Sequence, residues 1–221
     1  MNIAVYGAKG RVGSKVVEIA EQRGHTVYPI DIAIKNTNNK QENYSSEKIQ
    51  DDVTNNIDVV VDFSTAAATK EVCEFCRLHR CPLVSGVTGR NEEQSQIVEQ
   101  LATELPVVCK ANFSIGVDVL QRICEIAAKE LKDWDCEIVE IHRKGKLDAP
   151  SGTAKSLAAT VVRQKSFKKV TVHSLRCGSN FGKHEIVFAT NGESLTLTHQ
   201  AENVEIFAKG AVLSAENLKR L

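Results

Sequence analysis

The chain opens on apolar residues that break into three glycines and then into helical spacing, and few features restrict a fold so tightly. Ile3 and Val5 begin a strand, and Gly7, Gly10 and Gly13 follow. Val12, Val16, Ile19 and Ala20 then recur along one helix face until Gly24. A strand that turns through glycines into a helix lets backbone approach a pyrophosphate at the helix N-terminus, where free N–H groups and the helix dipole favour an anion. The spacing is Gly-x-x-Gly-Arg-x-Gly, with Lys9 two residues after Gly7. On spacing alone a plain glycine turn therefore stays open beside a dinucleotide site. A second strand should end near Asp31, whose carboxylate either takes ribose hydroxyls or merely closes the strand. Pro29 inside it predicts an early stop or a bulge, because proline cannot donate to a ladder.

Residues 35–56 are rich in Asn, Gln, Lys and Ser and read as a polar connection. Strand 59–63, helix 66–80, strand 83–87, helix 91–104 and strand 107–110 then alternate, the pattern of a parallel sheet covered on both faces. A helical pattern follows from Gly116 to Leu131, then a strand ending at His142, a helix over 152–164 and a strand over 170–176. Two alternating stretches, 184–190 and 193–199, flank Asn191-Gly192, a strong hairpin signal that sets Ile186 and Phe188 on one face with Leu195 and Leu197. The fold class is α/β: a Rossmann-type parallel-sheet domain, residues 1–111 with 205–221, and a smaller α+β mixed-sheet domain, residues 112–204.

Charge narrows the function. The 28 basic and 28 acidic side chains cancel, which argues against a nucleic-acid or membrane-surface protein. No apolar run is long enough to span a bilayer, and the N-terminus reads as a strand rather than a signal peptide. Seven cysteines, odd in number and irregular in spacing, fit reduced thiols in a cytoplasm. Cys73-x-x-Cys76 has no second pair to complete a metal site, so these thiols read as packing residues and no metal is expected.

The densest chemistry lies between Glu137 and Ala154. Alternation sets apolar Ile138, Val139 and Ile141 against Glu137, Glu140 and His142. After the strand come His142, Arg143, Lys144 and Lys146, a break at Gly145 and Pro150, and a helix start with Ser151 as N-cap. An imidazole, three cations and the N–H groups of Ser151, Gly152 and Thr153 would together suit a small anionic molecule. A solvated basic loop is the plainer alternative.

The run His-x-x-x-Lys-x-Asp-Ala-Pro-Ser-Gly-Thr-Ala, His142 to Ala154, resembles the signature of the dihydrodipicolinate reductases. The likeness continues through Gly-Ala-Lys-Gly-Arg-Val-Gly, the Val-Asp-Phe-Ser strand end, Gly86-Val87-Thr88, Lys110-Ala111-Asn112-Phe113, the hairpin, and Phe207-Ala-Lys-Gly-Ala-Val. It implies reduction of a cyclic imine dicarboxylate by NADH or NADPH in a homotetramer. The cofactor would lie along Gly7, Ala8, Lys9, Gly10, Arg11, Val12, Asp31, Phe63, Gly86, Val87, Thr88, Lys110, Ala111, Asn112 and Phe113. Lys146 would donate the proton with His142 as acid/base or electrostatic partner, the two brought together by a turn through Lys144-Gly145. Arg143, Gly152 and Thr153 would hold the carboxylates. Ile32 stands where NADPH-using relatives carry a basic residue, with Lys35 as a substitute, so the lean is to NADH. Departures are Arg143 for a second histidine, Lys110 for a small residue and Val204 for a basic one; His184 and His199 read as scaffold. The rivals are a nicotinamide-dependent reductase of another imino or amino acid and a non-catalytic dinucleotide sensor.

Overall fold

A computed structural model describes residues 1–31, 57–164 and 169–218. Ile32, Lys35 and the polar connection 35–56 lie outside the described residues. The chain divides into two compact units, Met1–Phe113 with Phe207–Leu221, and Ser114–Ile206.

In the first unit the strands β1 (Asn2–Tyr6), β2 (Thr26–Ile30), β3 (Val59–Asp62), β4 (Leu83–Ser85) and β5 (Val107–Cys109) form a parallel sheet in the order β2-β1-β3-β4-β5. Both faces are apolar, so the strands alternate between two cores. Ala4, Tyr6, Val60 and Leu83 pack on Val72, Phe75, Val98 and Leu101 of α2 (Thr69–His79) and α3 (Glu92–Glu104). Ile3, Val5, Val59 and Val61 pack on Val16, Ile19 and Ala20 of α1 (Gly13–Gln22) and on Ala208, Ala211 and Val212 of the C-terminal helix α6 (Glu205–Leu218). α6 comes close because residue 210 is glycine: a Cβ there would lie 1.7 Å from the Phe113 carbonyl oxygen. Cys73 and Cys76 are buried on α2 within the first core, as packing residues.

Pro29 causes neither an early stop nor a bulge. It sits in register opposite Val5, on a strand that is an edge among the described strands. The Thr26 N–H donates to Met1 O and the Ile30 carbonyl accepts from Gly7, so alternate residues of β2 face β1. The nitrogen of Pro29 faces away from the ladder, where no donor is required.

Among the described residues the second unit holds a four-stranded sheet, β7-β6-β8-β9, built from β6 (Asp135–His142), β7 (Thr171–Arg176), β8 (Lys183–Thr190) and β9 (Glu193–Gln200). β6 is parallel to β7 and antiparallel to β8. The hairpin turns at Asn191-Gly192, where the glycine alone of the two takes a positive φ, +102°, with Ile186 opposite Leu197 and Phe188 opposite Leu195. Helices α4 (Ile115–Glu130) and α5 (Gly152–Val162) close one face, where Leu120, Cys124, Leu157 and Val161 meet Ile138, Ile186 and Phe188. Ser114 caps α4 by accepting from the Val117 N–H at 3.3 Å, and its hydroxyl also meets His199 Nε2 at 3.2 Å. His199 is thus a clasp between β9 and the start of α4.

One expected facing is reversed. Cys136, Ile138, Glu140 and His142 form the buried face of β6, whereas Val139 and Ile141 are half-buried on the other. The carboxylate and the imidazole share the core side with Ile138 because all three stand at intervals of two.

Candidate active site

At the carboxyl ends of β1 and β3 the glycine loop is drawn tight. Gly7, at φ +74°, would place a Cβ 2.5 Å from Phe63 O, and a Cβ on Gly13 would lie 2.0 Å from Gly7 O. Side chains at these positions would push the loop off the sheet. The loop's own amides are partly committed: Gly7 and Ala8 donate to Ile30 O at 3.0 and 3.2 Å, and Lys9 donates to Asp31 Oδ2 at 2.9 Å. Asp31 therefore stands at the end of β2 against the loop, steadying its backbone. The N–H groups of Arg11, Val12 and Gly13 have no acceptor among the described residues, and Val12 supplies no side-chain cap to α1. An uncapped helix start ringed by exposed Lys9, Gly10 and Arg11 fits a pyrophosphate.

Further along the same strand ends, the Phe63 ring occupies the space a Gly86 side chain would need, 2.3 Å from its ideal Cβ, and meets Phe113 edge-on at 5.8 Å. Thr88, Lys110 and Ala111 are exposed beside half-buried Val87 and Asn112, and the Lys110 N–H donates to Ser85 O at 3.1 Å. Beneath them lies a polar network that sequence reading did not find. Buried Asp62 accepts from Ser64 and Ser85, and Arg90 bonds Ser85 Oγ at 2.6 Å, Thr69 Oγ1 at 3.0 Å and the Val87 carbonyl at 3.1 Å. Arg90 braces the 86–88 backbone from below. The only local hint was a basic residue two after Thr88.

In the second unit the focal stretch is built around Glu140, whose side chain is wholly buried. Arg176 grips it from β7 with two bonds, Nη2 to Oε1 at 2.7 Å and Nη1 to Oε2 at 3.0 Å. The Ser151 N–H donates to Oε1 at 3.2 Å, and His142 Nδ1 bonds Oε2. Burial alone would raise the Glu140 carboxyl, but hydrogen bonds from Arg176, Ser174 and His142 outweigh it and hold it at about 2. Burial lowers the His142 pKa, against Glu140, whose bond and charge raise it; Lys146 and Arg176 lower it further. The pair is thus a strongly acidic carboxyl beside an imidazole whose pKa lies below the ordinary histidine value.

The expected turn at Lys144-Gly145 is present, closed by the Lys146 N–H donating to Arg143 O at 3.1 Å. It folds the chain back directly after His142, and the Lys146 charge is a minor cause that lowers the pKa of both His142 and His184. Lys146 Nζ is ion-paired with Asp148 at 2.7 Å. The Arg143 guanidinium folds over its own turn, 3.0 Å from where a Gly145 Cβ would be. At the α5 start one expectation is corrected: the Ser151 N–H is taken by Glu140, so it is not part of an anion site. Ser151 Oγ caps Ala154, leaving the Gly152 N–H without an acceptor among the described residues.

His184, read as scaffold, packs against the focal stretch. Its ring meets His142 edge-on at 5.2 Å and its Nε2 reaches Ser151 Oγ at 3.2 Å. Burial first, then the neighbouring His142, His199 and Lys146, outweigh Glu140 and lower its pKa from the ordinary 6.5 to about 4. Both this histidine and Glu140 titrate below their unfolded values. On acidification the unfolded chain takes up protons first, so stability falls from pH 6.5 toward 4 through His184 and from 4.5 toward 2 through Glu140. Each proton contributes a slope of up to about 1.4 kcal/mol per pH unit. Urea unfolding followed against pH should show this decline, and His184→Asn should flatten it between pH 6.5 and 4; a decline unchanged by that substitution would remove His184 from the account.

Residues 1–113 match the family model described as dihydrodipicolinate reductase, N-terminus, and residues 116–221 match that of the C-terminus. A 4-hydroxy-tetrahydrodipicolinate reductase of Thermosipho africanus is 37% identical, covering 98% of this chain and 90% of its own length. That of Zymomonas mobilis is 36% identical over 97% of this chain and 90% of its own. Among solved structures, a dipicolinate-bound dihydrodipicolinate reductase from Paenisporosarcina sp. TG-14 has the same fold, with a TM-score of 0.81 at 23% identity, over 100% of this chain and 95% of its own.

Proposed function

Because the chain belongs to the dihydrodipicolinate reductase family, and so reduces 4-hydroxy-tetrahydrodipicolinate to tetrahydrodipicolinate in the diaminopimelate and lysine pathway, we propose that Lys146 and His142 manage the proton of that reaction. The reduced nicotinamide, when bound, supplies the hydride, and the substrate's 4-hydroxyl leaves as water. Lys146 donates the proton from its ammonium. His142, neutral and bound through Nδ1 to Glu140, presents the Nε2 lone pair as the accepting partner. The observation that supports this reading is the turn closed by the Lys146 N–H on Arg143 O, directly after His142. Arg143 and the Gly152 and Thr153 amides hold the substrate carboxylates, Arg143 after swinging off its turn.

In the first unit, Gly7, Ala8, Lys9, Gly10, Arg11 and Val12 hold the pyrophosphate, and Asp31 takes the ribose. Phe63, Gly86, Val87, Thr88, Lys110, Ala111, Asn112 and Phe113 line the nicotinamide half. This reading is supported by the uncapped start of α1 and by glycines that leave no room for a Cβ. The enzyme is read as a cytoplasmic homotetramer that prefers NADH. Its seven free thiols favour a reducing compartment, and among the described residues no helix is long and apolar enough to cross a membrane.

The test is purified protein offered the condensation product of pyruvate and aspartate semialdehyde. Oxidation of both NADH and NADPH is expected, with the lower KM for NADH. A lower KM for NADPH would overturn the cofactor preference, and no oxidation of either would favour a reductase of another imino acid.

A further inference from the structure

We infer that Glu140 is a positioning residue for this proton transfer: its buried carboxylate decides which nitrogen of His142 carries the proton and ties that ring to the first turn of α5. The inference rests on the role given to His142 above. Glu140 and His142 stand two residues apart on the core face of β6, so the carboxylate lies behind the imidazole rather than in solvent. An ionised carboxylate only accepts, so Nδ1 must donate to it and Nε2 is left as the nitrogen with a lone pair.

The carboxylate is itself held in place. Arg176 donates one N–H to each oxygen, which fixes the plane of the group, and the Ser151 N–H bonds one of the same oxygens. Through Glu140 the ring and the N-cap of α5 therefore share one anchor, so the histidine and the Gly152-Thr153 amides keep a set spacing. On the far side of the ring, Gly182, at φ +151°, would place a Cβ 2.9 Å from Nε2. A side chain there would crowd the nitrogen that Glu140 leaves available.

The charged and titratable groups facing His142 are Glu140 on its own strand, Arg176 on β7, His184 on β8 and Lys146 in the turn. Glu140 is the anion of this set. Its removal lowers the proton affinity of the imidazole and releases the tautomer. A residue that served only to fill the core would change stability and leave both properties alone.

The experiment is NMR of protein carrying labelled histidine, with the His142 resonances assigned by their loss in His142→Gln. In wild type the neutral ring should be the Nδ1–H form. In Glu140→Gln its titration should move down by about one pH unit, the tautomer should become mixed, and kcat should fall about 10-fold or more while the KM for the nicotinamide nucleotide holds. Where that variant loses folded protein because Arg176 keeps a buried charge without its partner, Glu140→Gln/Arg176→Met removes the pair as a unit and is read by the same resonances. An unchanged tautomer and titration in the folded variant overturns the inference. Full turnover in His142→Ala would instead sink the role of His142 itself, whereas a slow His142→Ala beside a fast Glu140→Gln would sink only the part given to Glu140.

Discussion

Lys146→Ala and His142→Ala are each expected to lower kcat by about 10² or more while leaving affinity for the nicotinamide nucleotide unchanged, the loss that follows when a positioned acid or its partner is removed. Lys146 is held by its turn and by an ion pair with exposed Asp148. Its ammonium is a compact charge that can give up a proton. Lys146→Arg separates charge from proton donation, because a guanidinium stays protonated at any working pH. That variant should keep a KM for the dicarboxylate close to wild type and still lose turnover. Steady-state rates with saturating nucleotide, together with nucleotide binding by fluorescence, check all three variants; turnover within twofold of wild type in Lys146→Ala would remove it from the chemistry.

Arg176→Ala should cost about 3–5 kcal/mol of folding stability, the penalty for stranding a buried charge. Glu140 is fully buried and Arg176 only 17% exposed, so solvent cannot replace the lost partner. His142 and the Ser151 N–H would still reach the carboxylate, but neither brings a full positive charge while the imidazole is neutral. Arg176 also donates to the Asp148 carbonyl at 2.6 Å, so its loss loosens the segment that carries Lys146. The double change Glu140→Leu/Arg176→Leu removes both charges and should be milder than Arg176→Ala alone. Urea unfolding midpoints decide this, and a single variant no less stable than the double would show that the pair is not the buried unit described.

Much of the fold could be read from local pattern. The strand, glycine loop and helix at the N-terminus, the βα alternation that follows and the Asn191-Gly192 hairpin each carry their signal within a few residues, and the Ile186 to Leu197 pairing follows from the turn. The site was less legible, for one physical reason: its organising contacts are long-range. Glu140 looked like the wet side of a strand because hydropathy alone ranks a carboxylate below Ile or Val. What buries it is Arg176, 36 residues later on a neighbouring strand. His184 meets His142 only because β8 pairs antiparallel with β6, which places Glu140 opposite His184. Pro29 shows the same limit in reverse. A proline that looked wrong for a strand is harmless at an edge, and sequence pattern did not reveal which strand was the edge.

Chemical rescue of Lys146→Ala tests the central claim most directly. If a proton held at this position enters the reduced substrate, small primary amines added to the variant should restore NADH oxidation in proportion to their concentration, with larger amines less effective and His142→Ala unresponsive. A variant that turns over normally without amine, or one that stays inactive while still binding nucleotide and dicarboxylate and is unmoved by any amine that fits, would contradict it.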